Sequence, residues 1–315
     1  MYRILMPTAT RISLGGGQTF QANLKKALAP FGYTFVNPGE EYDILFIAGA
    51  TLVEKETAYE AHRQNKRIVL RTDNILEDSK NRNSGMPRLR SFAEIATTIV
   101  YQSEWAKRLL SPLIGNGIVI YNGVDTKIFK PRTEEKSWDN IRILYSKYSR
   151  NEVKQFHQTQ YWWREYNLEK QGDTLVLVGR FADDYQRIDH PFEFHNGEEY
   201  EYVGVIDDQQ RLANLYRSCD IAFLPYMYDA CSNTILEAQA CGLPVLYSPT
   251  GGTPEIVEIG EPIDYNTTPA EQVKELMQFT QPDMTSFEDS FSLETMGEKY
   301  HALFQTIMGM ENEIC

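Results

Sequence analysis

A chain of 315 residues with 42% hydrophobic and 24% charged composition can bury two globular cores, and two domains is the expectation. No apolar run approaches the roughly 20 residues that span a bilayer, and the opening MYRILMPTAT lacks the regions of a secretory signal, so the expected location is cytoplasmic, free or peripheral to a membrane. The net charge of −13 argues against indiscriminate nucleic-acid binding, and neither the four cysteines nor the five histidines have the spacing of a disulfide framework or a metal site.

From the N-terminus, short β-rich runs at 2–6, 43–48, 67–71, 98–101 and 118–121 alternate with longer helical stretches. Parallel strands need such crossovers, so the pattern predicts a doubly wound sheet. Gly15, Gly16 and Gly17 lie between the first strand and the helical stretch 20–28, where glycine lets a backbone approach a ligand closely. Three in succession do not make the G-x-G-x-x-G of a nicotinamide site. Arg71 and Asp73 close the third run at its carboxyl edge, where cleft residues occur. Acceptor contact by Arg71 and base duty for Asp73 stand there beside a plain structural ion pair. Lys80, Arg82, Arg88 and Arg90 follow in a Gly/Pro-containing segment that either steers an anionic ligand or only solubilises the surface. Residues 1–125 hold 15 Lys and Arg against 12 Asp and Glu, and residues 126–315 hold 16 against 32, so the front part is mildly basic in an acidic chain.

A polar stretch at 130–140 precedes a second alternating series, at 141–145, 174–178, 201–206, 221–225 and 244–247, hence a second α/β domain. Residues 183–200 read as a loop and 286–310 as an amphipathic helical tail. The adjacent pairs Asp183-Asp184 and Asp207-Asp208 lack D-x-D spacing and read as solvated loop residues. The most informative segment is 220–258. A buried strand at 221–224 leads through a loop to Ser232, Asn233 and Thr234, which offer N-cap oxygens to a helix ending at Gly242 and Pro244. A helix that opens just beyond the carboxyl end of a parallel strand turns unpaired N–H groups and its positive dipole end toward a ligand, which suits a phosphate. Glu237, in the first turns, is placed to accept hydrogen bonds from a ribose. The same residues also fit an ordinary cap with a solvated carboxylate, and spacing alone leaves both readings open.

The run from Leu236 to Val245, LEAQACGLPV, followed by Gly251-Gly252-Thr253-Pro254-Glu255, resembles the A-x-A-C-G-x-P-V and G-G-x-x-E signature of the retaining GT-B glycosyltransferase family 4, also called glycosyl transferases group 1. Tyr121-Asn122-Gly123-Val124-Asp125, with Phe129 and Pro131, resembles the N-G-V-D-x-x-x-F-x-P link of that family, and Tyr202 to Asp220 resembles its base-cradling segment. The resemblance covers most of 118–258. It implies an α/β GT-B fold, two Rossmann-like doubly wound domains facing across a cleft. Here these would be an acceptor-binding domain at 1–122, a donor-binding domain at 123–285 and a tail helix at 286–315 that packs back on the first domain.

The implied reaction moves a hexosyl or pentosyl group from a nucleoside-diphosphate sugar, with UDP or GDP as carrier, to an acceptor hydroxyl with retention of configuration. By the same resemblance, Glu237 binds the ribose, the amides of Ser232, Asn233 and Thr234 take the diphosphate, and Gly16 and Gly17 approach the donor's phosphates and sugar. Asp229 stands where the family has the first carboxylate of E-x7-E, which contacts the donor sugar, and it is one methylene shorter. Family members neutralise the leaving diphosphate with the Arg and Lys of G-R-x-x-x-x-K-G. Arg150 and Lys154 occupy that region without the glycines and with spacing one shorter, and Lys147 is a substitute. No cofactor and no essential metal are implied, and proton transfer to a donor phosphate oxygen follows the family's front-face mechanism. The acceptor is unknown, and the basic front part fits an anionic one: nucleic acid, lipid phosphate or acidic glycan. An epimerase, a phosphorylase or a non-catalytic sugar-nucleotide-binding protein is the alternative.

Overall fold

A computed structural model of the protein describes residues 2–7, 16–72, 85–134, 136, 139–148, 152–170, 172–179, 200–279 and 284–309. The chain forms two compact units, one built from Met1–Val124, Ala230–Asn233 and Glu288–Cys315, the other from Asp125–Asp229 and Thr234–Phe287. In the first unit, strands β1 (Arg3–Leu5), β2 (Thr34–Val36), β3 (Ile44–Ile47), β4 (Arg67–Arg71), β5 (Thr98–Tyr101) and β6 (Ile118–Val119) form a parallel sheet in the order β2-β1-β3-β4-β5-β6. Every residue of β3 is buried, as in a parallel strand covered on both faces. The crossovers carry helices α1 (Gly16–Leu28), α2 (Lys55–Arg63), α3 (Gly85–Ala93) and α4 (Glu104–Ile114). Ser103 caps α4 by accepting the Ala106 N–H at 3.1 Å. The winding direction reverses between β1 and β3, so the ligand crevice of this sheet lies off the carboxyl end of β1, where Gly16 and Gly17 open α1.

The second unit repeats the scheme with strands β7 (Arg142–Tyr148), β8 (Thr174–Gly179), β9 (Tyr200–Gly204), β10 (Ile221–Leu224), β11 (Val245–Tyr247) and β12 (Gly260–Pro262), all parallel, in the order β12-β11-β10-β7-β8-β9. Its winding reverses between β7 and β10. Helices α5 (Phe156–Glu169), α6 (Gln209–Arg217), α7 (Asn233–Ala240) and α8 (Pro269–Leu276) follow in chain order, and α9 (Thr285–Phe291) begins in this unit and ends in the first. Trp162 stacks on Phe223 with ring centroids 4.2 Å apart, which seats α5 on β10. Thr268 and Glu271 form a reciprocal capping box at the start of α8.

The tail is two helices rather than the single one expected. Ser292 interrupts it: its backbone bridges to Val124, and its hydroxyl accepts the Thr295 N–H at 3.1 Å to open α10 (Leu293–Gly309). Helix α10 lies on α1 and buries Tyr300 and Phe304 against Phe20 and Phe46 in the core of the first unit. Gly297 makes that approach possible, since a Cβ there would stand 2.4 Å from the Ala27 carbonyl oxygen. Among the described residues, no helix is long and apolar enough to cross a membrane.

Candidate functional site

The carboxyl edge of the second sheet is shaped by the end of β7. Its register against β8 shifts between Ser146 and Tyr148, and Lys147, between them, has a left-handed backbone with φ of +60°. Two buried tyrosines hold the preceding residue. The Tyr216 hydroxyl bonds to Ser146 Oγ at 2.8 Å, and the Tyr226 hydroxyl donates to the Ser146 carbonyl. Burial pushes both phenols well above their ordinary range, so both stay protonated and able to donate. A short 3-10 helix, Glu152–Lys154, is tied to the loop after β10 by a bond from Met227 N–H to the Val153 carbonyl at 2.9 Å. Lys154 Nζ thereby reaches Asp229 Oδ2 at 3.0 Å and sits 3.8 Å from the centre of the Tyr226 ring. The two glycines of the G-G-x-x-E turn support Asp229 from behind. Gly252 donates to the Asp229 carbonyl at 2.8 Å, and a Cβ on Gly251, whose φ is +72°, would lie 2.5 Å from that same oxygen.

Helix α7 follows this loop. Glu237 on it is only 5% exposed, and its Oε2 has no hydrogen-bond partner among the described residues. Burial pushes its carboxyl up to about 7, and the Lys147 ammonium pulls the other way. A desolvated acceptor left without a donor is costly, so such a group marks a place where a ligand's hydroxyls would be welcome. Two turns of α7 also carry a residue that spacing does not single out. Gln239, fully buried, donates to the Ile256 carbonyl at 2.8 Å and accepts from the N–H groups of Glu258 at 2.7 Å and Ile259 at 3.0 Å. It fixes the chain beyond the double-glycine turn, and a polar residue amid a buried helix is the signal that could have found it.

In the first unit, the segment Ala230–Asn233 is bound by Asn122, whose amide donates to the Cys231 carbonyl and to Asn233 Oδ1, each at 2.8 Å. Ser232 is buried there, and Asn233 Nδ2 reaches the Gly16 carbonyl at 3.3 Å, joining two of the expected donor-binding positions. Arg71 needs a correction. The expectation of acceptor contact placed it at an open strand edge, but it is 3% exposed. Its guanidinium donates to the Ala48 carbonyl at 3.0 Å, Gln102 Oε1 at 2.6 Å and Asn122 Oδ1 at 2.8 Å, and it lies 3.6 Å from the Phe20 ring centre. It is a structural tie among the strand ends and the N-G-V-D segment. Asp73, Arg150, Lys80, Arg82 and the Asp183-Asp184 pair lie outside the described residues. Arg88 pairs with Glu54 at 3.2 Å, and Arg90 is exposed. Asp208 caps α6 by accepting the Arg211 N–H at 2.7 Å, a structural role. Among the described residues, no three His, Cys, Asp or Glu side chains are grouped as metal ligands would be.

Two doubly wound parallel sheets in succession, each with its own switch point, define the α/β GT-B fold, and solved structures of that fold match nearly the whole chain. HepE from Anabaena, solved in complex with UDP and glucose, has a TM-score of 0.73 and 16% identity over 97% of this chain and 99% of its own. Sucrose-phosphate synthase from Thermosynechococcus elongatus has a TM-score of 0.77 and 15% identity over 98% of this chain and 100% of its own. In sequence, residues 154–279 match the family described as Glycosyl transferases group 1. A stretch of 72 residues is 39% identical to D-inositol 3-phosphate glycosyltransferase 2 of Catenulispora acidiphila and spans 20% of this chain and 17% of that protein.

Proposed function

We propose that the protein is a retaining family 4 glycosyltransferase that moves a hexosyl or pentosyl group from a nucleoside-diphosphate sugar to an acceptor hydroxyl in the cytoplasm. The observation that carries this reading is the Glu237 carboxyl, buried and with Oε2 unpartnered among the described residues, on the helix that follows the sheet's switch point. The vicinal hydroxyls of a ribose are donors of the right number and spacing for it. The amides at the start of α7 are suited to the diphosphate, and Lys154, together with Arg150, to the charge that grows on it as it leaves. Asp229, 3.0 Å from Lys154, is the carboxylate for the sugar hydroxyls. In the transfer, the bond between the anomeric carbon and the diphosphate oxygen breaks, the acceptor oxygen bonds to that carbon on the same face, and the acceptor proton passes to the departing diphosphate.

UDP is the nucleotide to try first, since HepE was solved with it, and GDP is the comparison. Glu237→Ala is expected to weaken nucleotide binding about tenfold or more, the loss of charge-assisted hydrogen bonds worth roughly 1.5–3 kcal/mol. Calorimetric titration checks this, and an affinity equal to that of the unaltered protein would sink the assignment. The reading also holds that helix amides and lysine side chains take the role of a divalent ion. Transfer should then persist in excess chelator, and activity lost on chelation and restored by magnesium or manganese would show otherwise.

A further inference from the structure

A guanidinium offers donors and no acceptor, so an amide that faces it must present its oxygen. Arg71, buried at the end of β4, orients Gln102 and Asn122 in this way. Gln102 accepts from it at 2.6 Å and turns its own NH2 group to the Thr72 carbonyl. Asn122 accepts at 2.8 Å and turns its NH2 group to the segment Ala230–Asn233, where it donates to the Cys231 carbonyl and to Asn233 Oδ1, each at 2.8 Å. Asn233 is thereby aligned in turn, and its Nδ2 donates to the Gly16 carbonyl at 3.3 Å. An amide turned end for end at any step would set donor against donor and oxygen against oxygen. The chain from Arg71 through Asn122 and Asn233 to Gly16 therefore runs one way, and each of its bonds polarises the next.

What this chain joins is two helix openings, since Gly16 is the first residue of α1 and Asn233 the first of α7. A helix opening has N–H groups without partners in the helix and the positive end of its dipole, so two openings brought together repel. Here buried bonds hold them. The Arg71 guanidinium also lies 3.6 Å from the ring centre of Phe20, one turn into α1, and so bears on both helices. Asn122 grips the other side twice, because its backbone N–H donates to Cys231 Sγ at 3.3 Å beside the side-chain bonds. Two positive dipole ends kept together in this way favour an anion. We infer that Asn122 is a positioning residue: aligned by Arg71, it seats Asn233 against Gly16 and so holds the openings of α7 and α1 together to receive the donor's diphosphate. That the seat takes a diphosphate rests on the nucleotide-sugar reading, but the seating of Asn233 by Asn122 does not.

The contact can be read without a ligand. In protein labelled with nitrogen-15 in asparagine side chains, the Asn233 amide, assigned by its absence in Asn233→Ser, should show cross-relaxation with the Gly16 α protons. In Asn122→Asp the carboxylate still accepts from Arg71 but accepts from Asn233 as well, whose amide then turns end for end and sets its oxygen against the Gly16 carbonyl. The cross-peak should be lost there and in Asn122→Ser, which adds no charge. Arg71→Met, without the aligning donors, should weaken it, and Arg71→Lys, again a donor only, should retain more of it. UDP and uridine are then titrated into the folded Asn122 variants. Affinity for UDP should fall about tenfold while that for uridine holds, because only UDP carries the diphosphate. A cross-peak unmoved in both folded Asn122 variants overturns the inference, as does an equal loss, or no loss, for the two ligands. A cross-peak lost as expected, in a protein whose unaltered chain binds neither UDP nor GDP, upholds the seating of Asn233 and removes the nucleotide-sugar reading instead.

Discussion

Lys154 and Asp229 meet at 3.0 Å with side chains 18% and 23% exposed, so solvent screens the pair and its net contribution to folding is small. A cation held by a carboxylate and an aromatic face is well oriented, however, and orientation is what a developing charge rewards. Lys154→Ala is therefore expected to leave the melting temperature nearly unchanged while lowering kcat on the order of a hundredfold. Steady-state kinetics with a thermal melt decide it, and a change confined to KM would mean simple ground-state attraction. Asp229 and Glu237 are singled out by the resemblance of one short local stretch and Lys154 by that of another, and the meeting of Lys154 with Asp229 across 75 residues is supplied by the fold. Arg71 misleads because a cation at a strand end looks like a cleft residue, whereas its burial depends on Gln102 and Asn122, distant in sequence. The left-handed backbone of Lys147 is equally illegible, since Tyr216 and Tyr226 arrive from other elements to impose it.

Among the elements, the strands that sequence reveals are those rich in β-branched and aromatic residues, such as Ile-Leu-Phe-Ile in β3 and Ile-Ala-Phe-Leu in β10. The two that escape, β2 and β12, have three residues each and lie at sheet edges, and Gly-Glu-Pro in β12 has a composition that strands avoid. Thr-Phe-Val in β2 has the propensity but is too short to stand out, whereas the pairing of β12 is supplied by β11 and not by its own propensity. The break at Ser292 is illegible for a similar reason, since the Val124 bridge sets it. The α1–α10 contact is the element-scale feature most open to test. Because a Cβ at position 297 would stand 2.4 Å from a backbone oxygen, the helices must move apart to admit it. Gly297→Ala, a change that would favour an isolated helix, should here destabilise by about 1–3 kcal/mol. Thermal unfolding checks the sign, and an unchanged or raised midpoint would mean that the contact yields freely.

At the scale of the molecule, the two units differ in how the chain supplies them. The second is nearly continuous, Asp125 to Phe287 with only Ala230–Asn233 counted elsewhere, and that stretch contains all six strands of its sheet. The first has its six strands before Val124 but finishes its core with α10, more than 160 residues later in the chain. Leu293, Met296, Tyr300, Leu303, Phe304 and Ile307 are buried there. At roughly 2 kcal/mol for each buried apolar side chain, they contribute on the order of 10 kcal/mol, which is comparable with the whole net stability of a domain. A fragment of residues 125–287 is therefore expected to unfold cooperatively on its own. Residues 1–124 alone should expose the Phe20 and Phe46 face and lack a cooperative transition, and adding a peptide of residues 288–309 should restore one. Circular dichroism melts of the two fragments, with and without the peptide, make the comparison. A cooperative transition in 1–124 that the peptide does not improve would mean that the sheet closes its core without the tail, and that α10 is an accessory to the first unit and not part of it.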